Sequence, residues 1–494
     1  MLFTSIDFLI FFPVVCLLYF VIPPKLKNPF LLAASYYFYM CWNPKYALLM
    51  LASTLITWVS GILIVKGKED SSRFLTPNRV VALSFILNLA ILLFFKYINF
   101  FIHNAVHLIN AFGGNVWEPY FFITLPVGIS FYTFQALSYT MDVYRGETKA
   151  EKNFIDYALF VSFFPQLVAG PIERSKNLLH QVHEEHRFSF ENMRRGLLQM
   201  TYGFFQKVVI AETAAIIVKQ VYDNYWMYPG VIIVFATMLF AVQIYCDFGG
   251  YSNIARGAAT VMGFSLMENF HNPYFADSVA DFWRRWHISL STWFRDYLYI
   301  PLGGNRKGKR RKYFNIMVVF ITSGFWHGAN WTYVVWGALN GIFQVIGDML
   351  KPVRKRVENR LHIRREAGCC RLLRVAGVFL LVDFTWLFFR AKDIRTAIDM
   401  LRSLVTDFRF RELFDGTLLT LGLSLPELVS FGFSLLILLT VDILKEHRVD
   451  VIEGVISRKL MIRWIIYLSL FFYILIFGIY GPLYDASQFI YFRF

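Results

Sequence analysis

The sequence predicts an all-α polytopic membrane protein. Three observations lead to it. Of 494 residues, 57% are hydrophobic and 19% aromatic. The apolar residues gather into long runs with few charges, and Lys and Arg gather between those runs. A water-soluble chain of this size has no need of so apolar a composition.

The runs cover residues 8–22, 46–65, 80–94, 231–245, 379–389, 428–441 and 464–480. Most are near the length that crosses a hydrocarbon core of about 30 Å as helix. With shorter and broken segments counted, roughly ten to twelve transmembrane helices are expected, with re-entrant or interfacial helices between them. Residues 1–481 read as one transmembrane domain, and 482–494 as an extracytoplasmic C-terminal tail.

Charge orients the spans. Lys25 is the first Lys or Arg in the sequence and Lys27 the second, and both follow the first run. This is no cleavable signal peptide, and it puts the N-terminus outside. The loop with Lys66, Lys68, Arg73 and Arg79 reads as cytosolic. Residues 103–117 lack Lys and Arg and read as external. Six of the seven residues 306–312 are basic, and 351–371 carry eight Lys or Arg against two Glu, so both loops are expected in the cytosol.

Residues 313–350 therefore enter and leave by one face, which requires a two-armed hairpin. Its natural break is Gly324-Phe-Trp-His-Gly-Ala-Asn330, with His327 at a deep turn that survives only when buried in protein or lining a cavity. Residues 445–463, with five Lys or Arg against three acids, return to the cytosol. One more span then carries the C-terminal tail outside, so both termini are expected to be extracytoplasmic. The net charge of +15 lies in these loops, so anionic membrane lipid is the expected partner and nucleic acid is not.

The five cysteines form no disulfide framework and no zinc spacing. Cys369-Cys370 lie beside a basic loop where acylation is conceivable. His180, His183 and His186 recur at helical spacing, but the adjacent Glu184 and Glu185 favour a solvated interfacial stretch, and no metal is expected. Pro301-Leu-Gly-Gly-Asn-Arg306 matches neither a P-loop nor dinucleotide spacing. Asp247 either orients an arginine or histidine or stands before a helix C-terminal break at Gly249-Gly250.

Two histidines stand out. An ionisable group within a membrane body is costly, so His327 is a functional candidate, against the alternative of a structural histidine donating to a carbonyl. Trp326, Trp331 and Trp336 favour a dry pocket in which a neutral imidazole serves as base. His287 sits in Asp281-Phe-Trp-Arg-Arg-Trp-His-Ile-Ser-Leu-Ser, with Arg284 and Arg295 nearby. It reads as a second base, a donor to a carbonyl oxygen or a ligand anchor, or else as part of an interfacial helix with Trp and Arg at headgroup depth. Tyr491, near the free chain end, offers a nucleophile, or an aromatic-belt residue. A nucleophile at the chain end and two bases in an apolar body suit the movement of a chemical group across a membrane.

The stretch from Phe270-His-Asn-Pro-Tyr-Phe through Asp281-Phe-Trp-Arg-Arg-Trp-His to Pro301-Leu-Gly-Gly-Asn305 closely resembles the membrane-bound O-acyltransferase family. The branch is the one typified by bacterial alginate O-acetylation and teichoic-acid D-alanylation. Leu125-Pro-Val-Gly-Ile-Ser-Phe-Tyr132, Phe164-Pro-Gln-Leu-Val-Ala-Gly-Pro171, residues 243–256 and Ser323–Asn330 agree in the same order, so the resemblance covers about residues 1–400. It implies a multi-helix body around a central tunnel and an acyl group drawn from a cytosolic thioester. It also implies His327 as the catalytic histidine and His287 as the second. Asn253 stands where related sequences often carry Asp, which argues against an essential acid there.

The ending Phe-Ile-Tyr-Phe-Arg-Phe494 resembles a C-terminal motif of these acylation systems whose tyrosine carries the acyl group, with Arg493 in place of the usual Gln or Glu. The resemblance implies a bacterial inner-membrane O-acetyltransferase with acetyl-CoA as donor and no permanently bound cofactor. Arg306, Lys307, Arg284 and Arg295 are expected to attract the donor. The expected acceptors are an exopolysaccharide or cell-wall polymer and a serine-esterase-like extracytoplasmic acetyltransferase. A transporter without chemistry of its own, and a lipid or protein acyltransferase, are the rival readings.

Overall fold

A computed structural model describes residues 1–69, 76–362 and 367–480. Tyr491 and Arg493, with the rest of the tail from 481, lie outside the described residues. The described residues are helical and contain no strand. Among the described residues, seven helices are long and apolar enough to cross a membrane, or eight if the bent pair Trp331–Met349 and Lys351–Arg360 is one span. This is fewer than the ten to twelve expected. The apolar helix Ile6–Val21 and the helix Pro24–Met40 have only 16 and 17 residues. At the rise of an α-helix they fall short of a full crossing.

The chain forms two compact units. The first, Met1–Leu197 with Ala255–Met267, contains α1 (Ile6–Val21), α2 (Pro24–Met40), α3 (Pro44–Glu69), α4 (Pro77–Ala111), α5 (Ile129–Arg145) and α6 (Phe154–Ser162). Buried residues occur on every side of α5, as expected of a helix packed all round. Several polar side chains inside this unit are paired. Ser53 donates to Asn88 Oδ1 at 2.5 Å, and the Tyr157 hydroxyl donates to Thr57 at 2.7 Å. In an apolar surrounding such pairing removes the cost of a bare polar group.

The second unit comprises Leu198–Ile254 and the chain from Glu268 onward. Its core includes Phe240, Trp286, Trp336, Trp386 and Phe389. Helix Gly230–Val261 runs unbroken through Gly249-Gly250, so those glycines do not end it. Gly250 serves a crossing instead. A Cβ there would meet the Gly203 carbonyl oxygen at 2.7 Å, and the reciprocal contact is equally tight. Beside this crossing, Lys207 pairs with Asp247 and with Glu212 (3.1 Å), all three buried. Asp247 therefore orients a lysine, and the pairing is what makes its burial tolerable. The Asn253 amide donates to Gln206 Oε1 at 2.7 Å, a bond that an ionised Asp could not make.

The hairpin is present, with one change. Helix Gly308–His327 and helix Trp331–Met349 are joined by residues 328–330 alone. The first arm runs straight through Gly324, so the break is later and shorter than expected. Gly324 instead lets the arms touch. A Cβ there would lie 2.2 Å from the Tyr333 carbonyl oxygen, and one on Gly337 would lie 2.3 Å from that of Phe320. At the open end Lys312 bonds Asp348 at 2.6 Å, which shows that the arms enter and leave together. From Lys312 to His327 the first arm runs about 22 Å along its axis.

Candidate active site

His327 ends the first hairpin arm. The helix stops there because Gly328 is extended, and Asn330 then caps the second arm by accepting the Thr332 N–H at 3.0 Å. The Asn330 amide also donates to the Lys392 carbonyl at 2.8 Å, anchoring the turn to the end of helix Gly368–Arg390. Trp326, Trp336 and Phe389 surround the imidazole, with ring centroids 5.1, 5.1 and 5.3 Å away. Trp326 and Trp336 are buried as the dry-pocket reading requires, but Trp331 is exposed and takes no part.

His287 sits between two seven-residue helices, Val279–Arg285 and Ile288–Phe294. Its backbone is left-handed, with φ 44° and ψ 54°, which is unusual outside glycine. Asn269 holds this conformation in place. Its carbonyl accepts the Ile288 N–H at 2.9 Å, its side-chain oxygen accepts the Ser289 hydroxyl at 2.7 Å, and its amide donates to Ser252 at 2.8 Å. One turn back, the His271 N–H donates to the Arg285 carbonyl at 2.9 Å. All three side chains of the Asn269 network are buried. Strain of this kind persists only where neighbours over-determine the backbone.

The interfacial-helix reading of 281–291 is therefore set aside. Phe282, Trp286 and His287 are each 3% exposed or less. The Phe248 ring packs edge-on against His287 with centroids 4.7 Å apart. His287 lies outside every candidate span. Burial pushes its imidazole down to about 3, so it is neutral near physiological pH.

His287 and His327 both line a cavity of about 2090 Å³. Its wall passes Trp283, Phe320 and Ser323 and continues to Arg284, Arg295, Lys351 and Arg354. Several cations on this wall are neutralised. Arg285 meets Asp281 at 2.8 Å and Glu446 at 2.7 Å, and Arg295 meets Asp296 at 2.8 Å. Arg284 and Arg354 have no carboxylate partner among the described residues, so their charge is available to an anion. Arg306 and Lys307 do not line the cavity and are exposed. Local sequence exposes no signal for Arg354, whose place depends on how the hairpin base packs. The Pro301–Gly304 turn is a structural element, since the Asn315 amide donates to the Gly304 carbonyl at 2.9 Å.

The three spaced histidines of the first unit do not converge. His180 pairs with Glu184 at 2.9 Å and His183 with Glu151 at 2.7 Å, while His186 packs on the Phe264 ring at 4.1 Å. All five cysteines are free thiols.

A helical, multi-span body with two buried histidines on the wall of one cavity defines a polytopic membrane protein. Residues 148–380 match the membrane-bound O-acyltransferase family, MBOAT. The chain is 38% identical over 410 residues to a probable alginate O-acetylase, AlgI, of Pseudomonas putida, covering 81% of this chain and 79% of that one. It is 33% identical over 429 residues to a peptidoglycan O-acetyltransferase of Helicobacter pylori, covering 80% and 78%. Against a teichoic acid D-alanyltransferase of Streptococcus thermophilus the identity is 28% over 285 residues, covering 53% and 67%. The chain belongs to the membrane-bound O-acyltransferase family and is an O-acyltransferase. Both cavity histidines fall within the matched segment.

Proposed function

We propose that this O-acyltransferase takes acetyl from cytosolic acetyl-CoA and delivers it for O-acetylation of an extracytoplasmic polysaccharide, from the inner membrane of a bacterium. The observation that carries the reading is the pair of buried histidines on the wall of one cavity. The volume suits a nucleotide-bearing thioester better than a drug-sized ligand, for which about 300–1,000 Å³ is typical. Arg284 and Arg354 attract the phosphates of the donor.

In this reaction His327 takes the proton of an incoming hydroxyl as its oxygen attacks the thioester carbonyl. Neutral His287 donates a hydrogen bond to the developing oxyanion. The C–S bond then breaks, and the leaving coenzyme A thiolate takes up the proton from His327. Tyr491 is the proposed first acceptor. Its acetyl-phenol ester is more activated than an alkyl ester because phenolate is the better leaving group. An extracytoplasmic serine-esterase-like transferase then moves acetyl to the polymer. The similarity to a probable alginate O-acetylase and to a peptidoglycan O-acetyltransferase supports a polymer as the final acceptor.

Proteoliposomes given radiolabelled acetyl-CoA test the reading. We expect coenzyme A release and label on the protein or an added acceptor, both lost in His327→Ala. Equal label with His327→Ala, or no use of acetyl-CoA by the wild type, overturns it.

A further inference from the structure

We propose that Glu151, Asp156 and His183 form a binding site for a divalent transition-metal cation of the zinc or manganese class. The site lies in the first unit and does not depend on the reaction proposed above. It is assembled from three segments that no sequence spacing connects: the turn after α5, the first turn of α6, and the stretch that follows His180.

The donor atoms already converge. One ligand atom from each residue lies within 4.8 Å of the other two. His183 Nε2 is 2.7 Å from Glu151 Oε2, and its Nδ1 is 3.8 Å from Asp156 Oδ2. Zinc holds nitrogen and oxygen ligands at about 2.0–2.2 Å, which separates neighbouring donors by about 3 Å or a little more. One imidazole nitrogen would bind the ion, with the ring and the carboxylates closing in from within 4.8 Å to that spacing.

The remaining carboxylate bonds form an orienting shell. Asp156 Oδ1 accepts the Asn28 amide at 2.8 Å, and its Oδ2 accepts the Asn153 amide at 2.6 Å. Glu151 Oε1 accepts the Asn153 N–H at 2.8 Å, leaving Oε2 facing the imidazole. The Glu151 N–H donates to the Tyr139 hydroxyl at 2.8 Å, and Asn28 also donates to the Val182 carbonyl at 3.0 Å. Ligating carboxylates are commonly held in this way by outer partners, which fix their direction before an ion arrives.

Charge supplies the second argument. The Glu151 and Asp156 side chains are only 13% and 11% exposed. Among the described residues neither carboxylate meets a Lys or Arg, and His183 is their basic neighbour. Two shielded carboxylates stand side by side, and a divalent cation compensates both. One imidazole and two carboxylates favour zinc or manganese over calcium and magnesium, which take all-oxygen shells. His183 is half-exposed, which leaves room for water to complete the coordination.

The test uses the full chain, purified in detergent and stripped with a chelator, then titrated with zinc chloride and separately with manganese chloride against a chromophoric competitor. We expect one equivalent of one of these ions to bind and to raise the unfolding temperature. Glu151→Gln and His183→Gln should each weaken binding by about tenfold or more. His180→Ala should bind as the wild type does, because its Glu184 pair is solvent-exposed and separate. Absence of binding of either ion, or equal binding by the wild type and both ligand variants, overturns the proposal and leaves His183 as a hydrogen-bonded bridge between two carboxylates. Because both variants keep polar side chains of similar size, retention of the wild-type elution profile separates lost binding from lost folding.

Discussion

The rings of His287 and His327 lie with centroids 6.5 Å apart on the wall of one cavity, although they belong to separate helical segments. Neither ring is held by its own helix alone. His327 depends on where the hairpin turns, and His287 on a left-handed backbone braced by Asn269. Both rings are thereby presented to the same cavity.

Replacing His327 by Ala is expected to lower turnover by about 100-fold or more, the scale of a lost general base. Membrane insertion should be unaffected, since the arms pack through Gly324 and Gly337. Polymer acetylation beside immunoblotted membrane protein measures both. Normal acetylation would remove His327 from the reaction.

His287→Gln separates oxyanion donation from donor binding. A fall in kcat with KM unchanged supports donation, and a rise in KM alone supports binding. Its lowered pKa gives a second readout. The folded state resists protonating His287, so the wild type loses stability as pH falls from about 6.5 towards 3. The glutamine variant should lose less over that window. Parallel unfolding curves would contradict the burial effect.

Asn269→Ala is expected to reduce kcat by about tenfold or more while leaving KM for the donor near the wild-type value, because it removes the side-chain bonds to Ser289 and Ser252 that brace the His287 turn, keeps the carbonyl bond to Ile288, and does not touch the basic wall. It also leaves two buried hydroxyls short of a partner, at a cost of about 1–3 kcal/mol each. Ser289→Ala removes one arm of the network and should have the smaller effect on kcat. Equal effects on kcat and on unfolding temperature in both variants would reduce Asn269 to a packing role.

Glu173, fully buried in the loop before Ser175, accepts the Met267 N–H at 2.5 Å and the Asn177 amide at 2.7 Å. Burial raises its carboxyl to about 7, against the partial compensation of these bonds and of Arg256. A raised acid favours the folded state when protonated, so its contribution is full below about 4.5 and is lost as pH rises through about 7. Thermal unfolding of Glu173→Gln in detergent should be flatter across that window, by a difference of about 3 kcal/mol at most. The same slope in both proteins would contradict the assignment.

Tyr491→Phe keeps the ring and removes the hydroxyl, so chemistry is separated from packing. Polymer acetylation should be abolished. In a strain lacking the downstream transferase, mass spectrometry should find an alkali-labile acetyl group on the wild-type C-terminal peptide. Full acetylation by the phenylalanine variant would make Tyr491 an interfacial anchor.

The helical membrane class, the hairpin and the two histidines were legible in the sequence. Hydropathy, charge bias and motif order are properties of contiguous residues, and burial in lipid acts on such stretches one by one. The misread features depend on distant contacts. Gly249-Gly250 looked like a helix end and proved to be a crossing with Gly203. Arg306 and Lys307 stand out as densely basic in the sequence but do not line the cavity, whose wall includes Arg354 from the far side of the hairpin. His183 looked like a member of a histidine row, and its neighbours are the carboxylates of Glu151 and Asp156, which stand well before it in the chain.

By itself, then, the sequence determined which segments leave water and which ionisable groups they carry, because transfer from water to an apolar surrounding is settled largely residue by residue. Only the tertiary structure decided which of those groups meet. Close packing of helices at glycine crossings, and the demand that each buried polar atom find a partner, are satisfied by residues far apart in the chain. Those constraints put His287 beside His327, Asn269 beneath His287, and Glu151 against His183.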